Sequence, residues 1–107
     1  MKRLLSPTAA LLPIPCVLVV SGDMEHPNIM TVSLAALVNV SPPMVGISVR
    51  RHTRSCGLIL EFKEFTVNVP HQEILRETDI CGMISGSEVD KFEQTGLNRA
   101  SSSVVTP

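Results

Sequence analysis

The chain has 107 residues and a net charge of −1, from nine basic and ten acidic side chains. It therefore holds one domain at most, over 1–107, and lacks the broad positive surface that binds nucleic acid. Apolar residues make up 44% of it, enough for a core, but its only aromatics are three Phe. The core must be built from Val, Ile, Leu and Met, and any planar ligand must lie mainly against aliphatic side chains and backbone.

At the amino terminus, Lys2 and Arg3 followed by Ala9-Ala10-Leu11-Leu12 imitate a short secretory signal. Pro7, Pro13 and Pro15 interrupt the apolar stretch, and no small-residue cleavage site follows. No segment reaches the roughly 18 consecutive apolar residues of a membrane span. The chain is read as soluble and cytoplasmic, with no membrane partner.

Residues 16–21 predict a first strand, ended by the turn residues Gly22-Asp23-Met24-Glu25. A second strand is predicted over 28–37, where Thr31, Ser33 and Ala35 alternate with Val32, Leu34 and Ala36. The first set is poor core but a good floor for a flat ligand. Ser41-Pro42-Pro43 should stop pairing, since neither proline donates to a ladder. A third strand follows over 44–49. The basic run Arg50-Arg51-His52-Thr53-Arg54 is a loop able to neutralise one phosphate group but not a duplex. A short helix over 55–60 has Thr53 or Ser55 as N-cap. A fourth strand spans 65–69, closed by Pro70. Helices are expected over 72–78 and 89–95, the second ending at the C-cap residue Gly96. Loop residues follow, and Val104-Val105 looks like the beginning of another strand. The fold class is mainly β, of the α+β kind.

The chemistry-bearing residues are few. Cys16, Cys56 and Cys81 are odd in number and fit no CxxC pattern, so they read as small buried hydrophobes in a reducing compartment. His26, His52 and His71 are scattered and form no metal triad. The sequon Asn39-Val40-Ser41 has no consequence in a cytoplasmic protein. No Ser-His-Asp pattern and no phosphate-binding glycine loop is present.

Two polar segments, 27–33 and 81–92, together place small hydroxyl residues, glycines and one lysine beyond what strands and turns require. They overlap two of four stretches that carry a wider likeness. The four are Asn28-Ile29-Met30-Thr31-Val32-Ser33; Asn39-Val40-Ser41-Pro42-Pro43-Met44-Val45; Ile47-Ser48-Val49-Arg50 with Thr53, leading into Glu61-Phe62-Lys63-Glu64-Phe65-Thr66-Val67-Asn68-Val69-Pro70; and Cys81-Gly82 through Ser85-Gly86 to Asp90-Lys91-Phe92. In their order and spacing they resemble the flavin reductase-like, FMN-binding split-barrel family, which includes the flavoredoxins. The likeness runs from about Ile14 to Leu97.

The resemblance implies a split β-barrel with short peripheral helices and non-covalent FMN. It also implies a pyridine nucleotide, NAD(P)H, or a redox protein as electron partner, and a homodimer, because the family builds its flavin site near a subunit interface. Family members continue beyond the equivalent of residue 107 and complete the barrel with later strands. This chain is thus expected to lack those C-terminal strands, either as a fragment or completed by another subunit.

By the same resemblance, Arg50 and Thr53 face the phosphate, with Ser48 and Val49 beside them. Thr31, Val32 and Ser33 border the isoalloxazine ring, with Asn28 and Met30 on the same strand. Asn68 reaches the ribityl chain or orients a loop, and Cys81 and Ser85 belong to the fourth stretch. Lys91 is the catalytic candidate, stabilising negative charge on the reduced ring. Simpler roles stay open beside these: Lys91 as a solvated helix lysine paired with Asp90, Glu88 or Glu93, Arg50 as a surface ion-pair partner, Ser85-Gly86 as a turn, and Cys81 as either a redox thiol or core packing. The functional alternative is a non-catalytic split-barrel module that has lost tight flavin binding.

Overall fold

The computed structural model describes residues 3–4, 15–84, 90–98 and 100. Its centre is β1 (Val17–Ser21), a run of aliphatic residues that pairs on both edges. On one side lies β2 (Asn28–Val32) and on the other β5 (Thr66–Asn68), both antiparallel to it. The β1–β2 turn needs Gly22: its φ is 94°, and a Cβ there would stand 2.6 Å from the His26 carbonyl oxygen. Within that turn, Asp23 Oδ1 accepts from the backbone N–H groups of Glu25 (3.0 Å) and His26 (2.6 Å).

The strand expected over 28–37 is two strands. Val32 stands opposite Val17, the first residue of β1, so Ser33 has no ladder partner and the chain bends at Ser33 and Leu34. Beyond the bend, β3 (Ala35–Val40) pairs only with β4 (Pro43–Ile47), forming a separate two-stranded sheet. Pro43 does not stop pairing as expected. It is the first residue of β4, opposite Val40, where a missing N–H is tolerated, and the cis Ser41–Pro42 pair links the strands.

The helices lie against the first sheet. Helix α1 (Arg54–Phe62) starts at the expected N-cap, Thr53, whose Oγ1 accepts from Cys56 N at 3.2 Å. Helix α2 (Leu75–Met83) follows a single 3₁₀ turn at Gln72–Ile74 and runs beyond the expected 72–78. It continues because Thr78 and Cys81 are buried, so tertiary packing extends what local propensity leaves marginal. Helix α3 (Lys91–Thr95) is capped by Asp90, which accepts from Phe92 N and Glu93 N, and it ends at Gly96 with φ 74°.

The core joins Leu18 of β1, Ile29 of β2, Cys81 of α2 and Phe92 of α3, with Val20, Ile74 and Leu97 packed around them. Of the three cysteines only Cys81 behaves as a buried hydrophobe. Cys16 is exposed and Cys56 half-buried, since each sits at an element's start and not within the core layer. Among the described residues the strands form two antiparallel sheets and no closed barrel, and no helix is long and apolar enough to cross a membrane.

Candidate functional site

The bend after β2 opens a polar-rimmed cleft. Met30, Thr31 and Val32 of β2 and the bend residues Ser33 and Leu34 form one wall. Ser48, Val49 and Arg50, which follow β4, form another, and Thr53 and Gly82 complete the lining of a cleft of about 460 Å³. That volume falls in the range of small-molecule sites, about 300–1,000 Å³. The two walls are fastened by a 2.9 Å hydrogen bond from Ser48 N to the Leu34 carbonyl.

The Arg50 side is held from α1. Thr53 Oγ1 donates to the Arg50 carbonyl at 2.7 Å, and Thr53 N donates to the same oxygen at 3.2 Å. One threonine therefore caps the helix and pins the arginine's backbone. The Arg50 side chain is exposed and has no carboxylate partner among the described residues. An exposed arginine whose backbone is held by the N-cap of a nine-residue helix makes this end of the cleft favourable for an anion.

The Thr31 side is held from α2. Thr31 Oγ1 donates to the Thr78 carbonyl, and Thr78 Oγ1 donates to Ile74 O at 2.8 Å. Gly82 lies against the same strand, where a Cβ would meet Thr31 Cβ at 3.3 Å. Its lack of a side chain permits this close approach.

The sequence-nominated residues thus fall into two groups. Met30, Thr31, Val32, Ser33, Ser48, Val49, Arg50 and Thr53 all line one cleft. Asn28, Asn68, Cys81 and Lys91 do not. Asn28 is buried and donates to Ser55 Oγ at 2.7 Å, linking β2 to α1. Asn68 lines a different cavity, about 210 Å³ and largely apolar, together with Leu18, Ile29, Phe92 and others, and its Nδ2 lies 3.4 Å from the Leu18 carbonyl. Ser85 lies outside the described residues.

Cys81 is fully buried. Burial pushes its thiol pKa up; the Lys91 ammonium opposes this and the Glu77 carboxylate reinforces it. A buried, protonated thiol is core packing, not an exposed nucleophile. Lys91 is not a solvated helix lysine. It is 6% exposed, and its Nζ donates to the Cys81 carbonyl at 2.9 Å. Burial lowers its pKa, with Cys81 acting in the opposite direction.

Two lining residues carry no individual role in the sequence reading: Leu34, and Gly82, which belongs to the fourth stretch. Leu34 is the residue after Ser33, at a bend hidden within an apparent strand. Gly82 lies beyond the helix expected over 72–78, in a glycine-containing segment where backbone can come close to a flat ligand.

Two antiparallel sheets, short helices over one of them and a cleft at their junction define a split-barrel protein of the α+β class. The chain belongs to the flavin reductase like domain family, whose sequence model matches residues 9–107. It is similar to the flavoredoxin of Desulfovibrio vulgaris (Miyazaki F): 32% identity and TM-score 0.92, over 99% of this chain and 58% of that one. A flavoredoxin from Methanosarcina acetivorans aligns at 31% identity and TM-score 0.78, over 85% of this chain and 49% of that one. An uncharacterized protein of Archaeoglobus fulgidus is 34% identical over 95 residues, 89% of this chain and 53% of that protein. The chain spans about half the length of the curated relatives it matches.

Proposed function

We propose that the cleft binds FMN and that the chain is the flavin-holding part of a flavin reductase or a flavoredoxin-like electron carrier. The observation that carries this reading is convergence. Two segments separated in sequence, one nominated for the ring and one for the phosphate, line the same cleft. The residues present fit the group. Arg50 supplies a cation with no carboxylate partner among the described residues, at the helix α1 end, for the phosphate. Thr31, Val32, Ser33 and Leu34 supply aliphatic surface and backbone for a ring. Bound FMN would supply one- and two-electron redox chemistry. The protein's contribution is to bind, orient and partly shield it.

NAD(P)H or a redox protein is the proposed electron partner, and the cytoplasm the proposed location. A homodimer is proposed through the β3–β4 sheet, whose apolar side chains Leu37, Val38, Val40, Met44 and Val45 are all exposed. The alternative is a split-barrel module without tight flavin binding.

Quenching of flavin fluorescence on titration with FMN tests the reading. Saturable binding, weakened about tenfold or more in Arg50→Ala, is the expected result, since a charge-assisted hydrogen bond contributes about 1.5–3 kcal/mol. No binding by the full protein favours the module.

A further inference from the structure

We infer that Lys91 is a positioning residue that clamps the last turn of α2 against Thr31 and so sets the width of the cleft. The inference rests on the proposal that this cleft holds a flavin. Cys81 belongs to the final turn of α2, where helix carbonyls lack intrahelical N–H partners. Its carbonyl accepts from Lys91 Nζ at 2.9 Å. Lys91 is therefore a C-terminal cap supplied by a neighbouring helix, a cation at the negative end of the α2 dipole. The next residue, Gly82, lines the cleft and stands so close to Thr31 that a Cβ would reach 3.3 Å from Thr31 Cβ. One turn earlier, the Thr78 carbonyl takes the Thr31 hydroxyl. The last two turns of α2 thus both meet Thr31, one through the Thr78 carbonyl and the other through the close approach at Gly82, and Lys91 holds the final turn at the Cys81 carbonyl. Lys91 does not line the cleft. The lysine's influence reaches it through the Cys81 carbonyl and Gly82.

The test is a double-mutant cycle on FMN dissociation constants for wild type, Lys91→Met, Gly82→Ala and the double variant, with the reduction potential of bound flavin measured in each. A positioning role predicts that Lys91→Met and Gly82→Ala each weaken binding about tenfold. The double variant should lose clearly less than the hundredfold product, because both act on one turn. The potential of Lys91→Met should equal that of wild type, and Lys91→Arg, which keeps the donor and the charge, should restore affinity. An altered potential, or fully multiplicative losses, would overturn the inference in favour of direct contact with the ring. Lys91→Gln gives the same comparison if Lys91→Met does not fold.

Amide hydrogen exchange in the flavin-free proteins separates this inference from the flavin reading. Faster exchange in the last turn of α2 in Lys91→Met supports the clamp even if the wild type binds no FMN. Unchanged exchange there contradicts it.

Discussion

The Asn28 side-chain amide donates to the Ser55 hydroxyl at 2.7 Å, joining β2 to α1 with both residues buried. Strand β2 carries the Thr31 wall of the cleft and α1 begins beside Arg50, so this bond ties the two ends of the site together. Asn28→Ala leaves the Ser55 hydroxyl without its donor and should cost about 1–3 kcal/mol. Urea unfolding of Asn28→Ala, Ser55→Ala and the double variant checks this. The double variant should be less destabilised than the sum of the singles.

Thr53 has two jobs, and substitution separates them. Thr53→Ala removes the α1 N-cap and the hydroxyl bond to the Arg50 carbonyl, so it should lower stability by about 1 kcal/mol and also weaken FMN binding. Arg50→Ala should weaken FMN binding with stability unchanged, because its exposed side chain pairs with no carboxylate among the described residues. Comparison with riboflavin, which lacks the phosphate, supplies the control: Arg50→Ala should leave riboflavin affinity as it was.

The buried Cys81–Lys91 pair gives opposite alkaline signatures. Lys91 has a native pKa below its ordinary 10.5, so between the two values the unfolded chain binds more protons and stability rises with pH. Cys81 has a native pKa above its ordinary 9.0, so above about pH 9 the unfolded thiol ionises first and stability falls. Relative to wild type, Lys91→Met should therefore lose stability more steeply as pH rises toward 10.5. Cys81→Ala should lose it less steeply above pH 9. Urea midpoints from pH 7.5 to 10.5 give both slopes.

Two glycines should respond in opposite senses. Gly22→Ala places a Cβ 2.6 Å from the His26 carbonyl at a φ of 94° and should destabilise the protein by more than about 1 kcal/mol. Gly57 lies exposed within α1 with nothing within 4 Å of a Cβ, so Gly57→Ala should stabilise by about 0.5–1 kcal/mol. Thermal unfolding of the two variants side by side shows the contrast.

The homodimer proposal is tested on the exposed hairpin. Leu37 and Val45 are cross-strand partners, 62% and 49% exposed, so they share one face of the β3–β4 sheet. Leu37→Lys with Val45→Glu keeps a favourable cross-strand pair while removing apolar surface. Sedimentation should then show monomers where wild type shows dimers.

Features set by neighbours in sequence were legible from the sequence alone. The Thr53 cap, the Gly96 terminator and the aliphatic β1 each depend on residues within one turn or strand, and each stands where the pattern puts it. Features set by tertiary partners were not. The break at Ser33 follows from where β1 begins, at Val17, and an alternating pattern continues straight through it. The pairing of Pro43 depends on its place at the start of β4 opposite Val40, a partner that local sequence does not reveal. The site belongs with the second kind. That residues 30–33, 48–50 and 53 line one cleft depends on the bend at Ser33 and Leu34, and the burial of Lys91 beneath the end of α2 depends on tertiary packing, so neither leaves a mark in local sequence.

The most direct test of the flavin cleft is residue-resolved amide chemical-shift mapping during titration of the ¹⁵N-labelled protein with FMN. The account predicts that shifts concentrate at residues 30–34, at 48–50 and 53, and at Gly82. Shifts concentrated instead around Leu18, Asn68 and Phe92, or no shifts at saturating FMN, would contradict it.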